Sequence, residues 1–349
     1  MGHDVELVFL RGKKIAEYEE LMEGIRYTII SETGDSLLSP IYWYITHIFA
    51  PTRDRQSRVD YNLIRNFPKY LKDKQVDYLI CHDLFGGLAG FYAKKKLGIR
   101  YSVYVHERIG RHKEPILGRI VHAYDKKVLK SSVAIFGVSE KVKRTVEDFY
   151  GFPAVTNFPG MDIGAITSFD EKEDALITVS MWDPNRKLEK CLDIISIIPG
   201  FILYVVGNFK TKEYRESFHK EVAMRGIADR VVVKHNVRES ELLELYQKSK
   251  FSLRFGTNEF GVGTSTIESI QNCIPLIVNS LGTSDLISKY SCGLVVDEID
   301  PLDIKTFIER NNNRASYESL QKNIEELSKN YSWKKHAMTL LAPILPLTK

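Results

Sequence analysis

Residues Asn258 to Asp285 read NEFGVGTSTIESIQNCIPLIVNSLGTSD. Two glycines, Gly261 and Gly263, and three consecutive hydroxyl residues, Thr264, Ser265 and Thr266, stand in front of a short helical segment with Glu268 in its first turns. The apolar run Leu276 to Val278 comes next. Loop, helix and buried strand in that order form one unit of a parallel α/β layer. The glycines let backbone N–H groups come close to an anion, and a helix start turns unpaired amides and a partial positive charge toward the same spot. A carboxylate such as Glu268 suits the paired hydroxyls of a ribose, because it only accepts hydrogen bonds and has two oxygens to share. This is the chemistry of a nucleotide-sugar pocket. Alone, the pattern also suits a solvated loop, an ordinary N-cap and a surface glutamate.

Working outward, short apolar runs rich in Val, Ile and Tyr alternate with segments of helical period, as in parallel strands joined by crossover helices. The first half predicts strands at Val5 to Leu10, Arg26 to Ile30, Tyr78 to Cys81, Tyr101 to Val105 and Val133 to Val138. A helix is expected over Gly86 to Leu97, ending in the solvated Lys94, Lys95 and Lys96, and Ser139 is expected to cap another that runs to about Tyr150. The pattern restarts with strands at Leu176 to Ser180, Phe201 to Val206, Val231 to Lys234, Phe251 to Phe255 and Leu276 to Val278, so two sheets are expected. Asn157 to Asp174, with Pro159, Gly160, Gly164 and the acidic string Asp170 to Asp174, reads as a linker. The expected division is an N-terminal Rossmann-like domain over 1–160, a C-terminal one over 161–330 and a final helix over 331–349 that packs back on the N-terminal domain. A ligand shared by the two would sit in the cleft, at the carboxyl ends of the strands.

Composition narrows the function class. A chain of 349 residues with 44% hydrophobic content can bury two ordinary cores. Lys plus Arg number 49 against 45 for Asp plus Glu, too small a surplus for a dedicated nucleic-acid binder. Cys81, Cys191, Cys273 and Cys292 form no CxxC pair, which fits a reducing cytoplasm better than a disulfide framework or a zinc site. No apolar run is long enough to span a bilayer and no signal peptide is visible, so a soluble or peripheral protein is expected. The VHER at Val105 to Arg108 is not HExxH, and neither a GxSxG elbow, a P-loop nor a dinucleotide fingerprint occurs.

Several residues follow predicted strands on the cleft side. His82 and Asp83 follow one, and His106, Glu107 and Arg108 another. An imidazole there could donate to a sugar hydroxyl, or simply hold a nearby carbonyl. After the first strand of the second half, Arg186 and Lys187 could neutralise a diphosphate or stand as solvated charges. Gly207 to Phe209 and His235 to Arg238 could border a base.

The ordered set of motifs resembles the retaining glycosyltransferases of GT-B fold, family 4. GHDVELV (Gly2 to Val8) is similar to the second strand of such enzymes, CHDLFGGLAGFYAKKKLGIRYSVYVHE (Cys81 to Glu107) to their middle N-domain segment, VSE (Val138 to Glu140) to the next helix start and NFPGMD (Asn157 to Asp162) to the linker. Glu259 to Glu268 resembles the paired-glutamate motif, IPLIVNSLGTSDLI (Ile274 to Ile287) the strand and Gly turn after it, and YSW (Tyr331 to Trp333) the start of the final helix. The resemblance implies two Rossmann-like domains facing across a cleft and transfer of a sugar from a nucleoside diphosphate to an acceptor hydroxyl with retention. By it, Glu268 holds the ribose; Glu259 and the amides of Phe260, Gly261, Val262 and Gly263, leading into Thr264, meet the donor sugar; Lys187 and Arg186 meet the diphosphate; and His106 touches the transferred sugar. It implies no metal and no cofactor besides the nucleotide-sugar donor, since fixed positive groups and a helix start stabilise the leaving diphosphate.

Three departures stand out. The family usually opens with a strand and a Gly-rich loop, whereas this chain opens where the second strand would be, so that strand lies upstream or the sheet is built without it. Glu259 and Glu268 are one residue farther apart than usual, and Ser180 and Met181 stand where Gly-Arg is common. These sustain two alternatives: an inactive GT-B relic that binds nucleotide or glycan or partners an active subunit, and a nucleotide-sugar 2-epimerase. The acceptor is expected to be a glycan, free or lipid-linked. SLLSPIYWYITHIFA (Ser36 to Ala50), with Tyr42, Trp43 and Tyr44 near Arg53 and Arg55, suits either core packing or a peripheral contact with the inner face of the membrane.

Overall fold

A computed structural model describes residues 3–10, 23–30, 61–107, 115–257 and 259–344. The N-terminal half contains β1 (Leu7–Phe9), β2 (Tyr27–Ile29), α1 (Tyr61–Leu71), β3 (Tyr78–His82), α2 (Asp83–Leu97), β4 (Arg100–Val105), α3 (Pro115–Ser131), β5 (Ile135–Gly137), α4 (Glu140–Tyr150) and β6 (Val155–Thr156). All its strand pairs are parallel, but they form two sheets, β1-β2 and β3-β4-β5-β6, where a single sheet was expected. Among the described residues no strand hydrogen-bonds β1 or β2 to β3. Side chains link them instead: Val8, Leu10 and Ile30 pack against the Ile64, Phe67 and Leu71 face of α1, and Glu6 accepts from Thr28, Tyr70 and Lys74.

The C-terminal half contains β7 (Glu173–Val179), α5 (Leu188–Ile197), β8 (Ile202–Val206), α6 (Lys212–Met224), β9 (Val231–Lys234), α7 (Glu239–Lys248), β10 (Ser249–Arg254), α8 (Thr264–Gln271), β11 (Leu276–Asn279), α9 (Ser284–Tyr290), β12 (Gly293–Val296), α10 (Pro301–Asn311) and α11 (Arg314–Asn330). Its strands form one parallel sheet of order β12-β11-β10-β7-β8-β9. Successive residues face opposite sides, as the strand period requires. Leu176, Leu203, Val205, Phe251 and Leu253 join one core, while Ala175, Ile177, Tyr204 and Val206 join the other. The order reverses between β7 and β10, and in a doubly wound sheet that reversal opens a crevice at the carboxyl ends of the two strands.

Some boundaries differ from the sequence reading. α2 begins at Asp83 rather than Gly86, directly at the strand end. Lys94 is not merely solvated, since it donates to the Ser131 carbonyl at the end of α3. β7 begins inside the acidic string read as linker, because Glu173 accepts from Tyr204 and Asp174 pairs with the buried Lys250. β6 and β12 were not foreseen; β6 is two residues long and β12 starts at a glycine. The aromatic segment Ser36 to Ala50, with Arg53 and Arg55, lies outside the described residues.

The chain crosses between the halves twice. The second crossing leads into α12 (Trp333–Leu341), capped by Ser332, whose Leu340 enters the N-terminal core. The crossings are bonded to each other: the Met161 amide donates to the Tyr331 carbonyl, and the Trp333 amide to Asp162. No helix among the described residues is long and apolar enough to cross a membrane.

Candidate functional site

The carboxyl ends of both sets of strands face one another. Ser139, after β5, donates to the Phe260 carbonyl, after β10. Lys141 donates to Ser280, after β11, at 2.9 Å. Phe260 packs on the N-terminal core, and Val262 touches a core of each half. Gly261 lies so close to β4 that a Cβ there would overlap the His106 carbonyl oxygen, so only glycine lets the loop approach this near.

On the C-terminal side, the crevice at the sheet's reversal holds an ion cluster. Glu259 pairs through one oxygen with Arg186 and through the other with Arg254 Nη2 at 2.6 Å. Arg254 ends β10, and Gly263 caps α8 immediately above it, a Cβ on Gly263 falling 3.2 Å from Arg254 Nε. Because Gly263 has no side chain, the first-turn amides of α8, from Thr264 onward, have no side-chain cap. The Thr266 and Ile267 amides donate to the Gly263 carbonyl, which leaves those of Thr264 and Ser265 to meet an anion. Desolvation lowers the pKa of both arginines; burial foremost, then the nearby Arg186, brings Arg254 down to about 10.

Lys187 is half-buried beside Arg186 at the start of α5, and its side chain has no ion-pair or hydrogen-bond partner among the described residues. Its φ of 49° is in the left-handed region. Asp83 (φ 56°) and Asn236 (φ 49°) share that conformation, and all three lie where the chain passes from a strand's carboxyl end into the next helix. Such strain costs on the order of 1 kcal/mol per residue and gathers where a site fixes the backbone.

Glu268 stays outside the ion cluster. It accepts from Tyr246 at 2.8 Å, and burial, ahead of any charge, raises its pKa. It is the fifth residue of α8, the helix that follows the carboxyl end of β10. Beyond the ends of β8 and β9, Asn208, Phe209, Lys210, His235 and Asn236 line a cavity of about 540 Å³.

On the N-terminal side, His82 Nδ1 and His106 Nε2 lie 2.7 Å apart, one donating and the other accepting. The His106 amide donates to Asp83 at 2.8 Å, which fixes the strand-end turn. Tyr104 presents its ring to His82, His106 and His336, the last on α12. Desolvation, with His106 second, brings His82 down to about 4, so at neutral pH this histidine is uncharged.

The structure thus brings Arg186, Glu259 and Gly263 together with the helix start at Thr264, sets Lys187 beside them, brings Gly261 against the His106 carbonyl across the cleft, and packs Phe260 and Val262 on the N-terminal core. Glu268 is held separately. Sequence reasoning missed Arg254; the available signal was a charged residue within an otherwise apolar strand, SLRF at Ser252 to Phe255. It also gave no partner for His106, and that partner is His82.

Residues 1–162 match the family described as Glycosyltransferase Family 4, and residues 163–331 the one described as Glycosyl transferases group 1. The chain belongs to the GT-B glycosyltransferases. No curated protein sequence matches it. Among solved structures, this glycosyltransferase-family chain is similar to HepE of Anabaena in complex with UDP and glucose, with a TM-score of 0.74 at 13% identity over 97% of this chain and 99% of HepE. Sucrose-phosphate synthase from Thermosynechococcus elongatus gives 0.71 at 13% over 98% of each chain. The lipopolysaccharide outer core galactosyltransferase WaaB gives 0.63 at 14% over 97% of this chain and 100% of WaaB. Likeness at such identities is one of fold.

Proposed function

We propose that this GT-B protein moves a sugar from a nucleoside-diphosphate sugar to an acceptor hydroxyl, with the anomeric configuration retained and without a divalent metal. The observation that carries the reading is the ion cluster of Arg186, Glu259 and Arg254 lying at the sheet reversal, directly below the loop that meets His106 across the cleft. HepE, of like fold, binds UDP and glucose. The base would enter the cavity beside Phe209 and His235, and Glu268 would accept from the ribose hydroxyls. Arg186, Lys187 and the start of α8 would stabilise the diphosphate as it leaves, the task a divalent cation performs elsewhere. Glu259, the amides of Phe260 to Gly263 and His106 would hold the sugar.

Retention follows if the acceptor arrives on the face from which the diphosphate departs, because a leaving phosphate oxygen can then take the acceptor's proton. The acceptor is read as a glycan hydroxyl, free or lipid-linked. The test is a panel of UDP- and GDP-sugars assayed for sugar release with and without chelator, with Glu268→Ala as control and the product anomer read by NMR. Chelator-insensitive release of an α-sugar from an α-linked donor supports the reading. Nucleotide binding with no release from any donor points to a relic instead.

A further inference from the structure

Arg254 is 6% exposed, and an ionised guanidinium buried that deeply costs several kcal/mol unless its donors are met. They are met in part. Nη2 reaches Glu259 at 2.6 Å and Nη1 the Phe255 carbonyl at 3.3 Å, while Nε has no hydrogen-bond partner. Glu259 is not Arg254's alone, since its other oxygen pairs with Arg186. Two guanidinium groups therefore share one carboxylate, beside the uncapped amides of α8. The cluster carries surplus positive charge in a place of low dielectric, which a further anion would balance.

Position identifies the anion. β10 neighbours β7 at the sheet reversal, and their register, Ser252 opposite Ile177, carries Arg254 level with Val179 at the end of β7. The residues that leave β7, Ser180 and Met181, are uncharged. At the strand ends themselves the cation comes from the adjacent strand, β10, and it joins Arg186 and Lys187 from farther along the β7–α5 connection.

We propose that Arg254 binds the diphosphate of the nucleotide donor, its Nε–H and the first amides of α8 meeting phosphate oxygens while Glu259 holds the guanidinium in place. This rests on the donor reading above. A guanidinium fork suits a diphosphate better than a point charge does, because it offers parallel donors to two oxygens.

Calorimetric titration of the intact chain with UDP, GDP and inorganic pyrophosphate, alongside uridine and guanosine, tests the inference on Arg254→Gln, Arg254→Lys, Glu259→Gln and the Arg254→Gln/Glu259→Gln pair. Arg254→Gln is expected to weaken diphosphate and pyrophosphate binding on the order of tenfold to a hundredfold while leaving nucleoside binding unchanged. Arg254→Lys, which keeps the charge but loses the fork, is expected to lose several-fold for the same ligands, and it decides the matter if Arg254→Gln does not fold. Unchanged diphosphate binding in the folded Arg254 variants overturns the inference. So does a pair that binds diphosphate much more weakly than Arg254→Gln alone, since Glu259 would then act on the ligand by itself and not through Arg254. A parent protein that binds none of the diphosphates would overturn the donor reading itself, and this inference with it.

Discussion

Glu268 shows how one burial can act in opposite directions on binding and on stability. Desolvation raises its pKa, so protonation begins at a higher pH than for an ordinary glutamate near 4.3, and a protonated carboxyl loses acceptor capacity. Nucleotide affinity should therefore begin to fall at a higher pH than an ordinary glutamate would cause, and that fall should vanish in Glu268→Gln. Stability runs the other way. Between the unfolded and the raised folded pKa the folded state binds more protons, so ionising Glu268 lowers stability as pH rises through that window. Melting of ligand-free protein should show the melting temperature of Glu268→Gln gaining on the parent as pH rises through the same range. The strand-end placement of Arg186, Glu259 and His106 was legible because residue type and position coincide in the sequence. Arg254 was not, because a charge within a strand gives no sign of the loop and helix that fold over it.

At the level of elements, most C-terminal strands were legible because their runs are rich in Val, Ile and Leu, as in β8 and β11, while β10 reads SKFSLR and shows itself by its place between helices. The start of β7 was not, since Glu173 and Asp174 are ordered by partners distant in sequence. β1 and β2 depend on a similar tie. Hydrogen bonds from Thr28, Tyr70 and Lys74 hold Glu6 down at about 2. A depressed carboxylate stabilises above its unfolded pKa, near 4.3, and that support is lost as pH falls through the folded value. Glu6→Gln should melt below the parent at neutral pH, and the gap should close as pH is lowered from about 4 toward 2.

For the molecule as a whole, the closeness of the two halves hangs on Gly261. Its approach to the His106 carbonyl leaves no space for a methyl group, and the carbonyl, being backbone, has no rotamer by which to give way. Gly261→Ala should hold the cleft ajar, enlarge the radius of gyration in X-ray scattering and lower sugar release on the order of a hundredfold, since an ångström of misplacement is enough. Unchanged scattering and turnover would show that the halves do not depend on this contact. The two-domain plan was legible from the restart of the strand pattern, but the division of the N-terminal strands into two sheets was not, because pairing partners leave no mark on hydropathy. The return of α12 bears on how the protein is made. Asn157 donates to the carbonyl of His336, 179 residues later, and Leu340 completes the core that Tyr101 and Val146 began. On the ribosome the first half emerges early, yet its hydrophobic interior stays one helix short until the whole second half has been translated. The domain born first is the last to be finished.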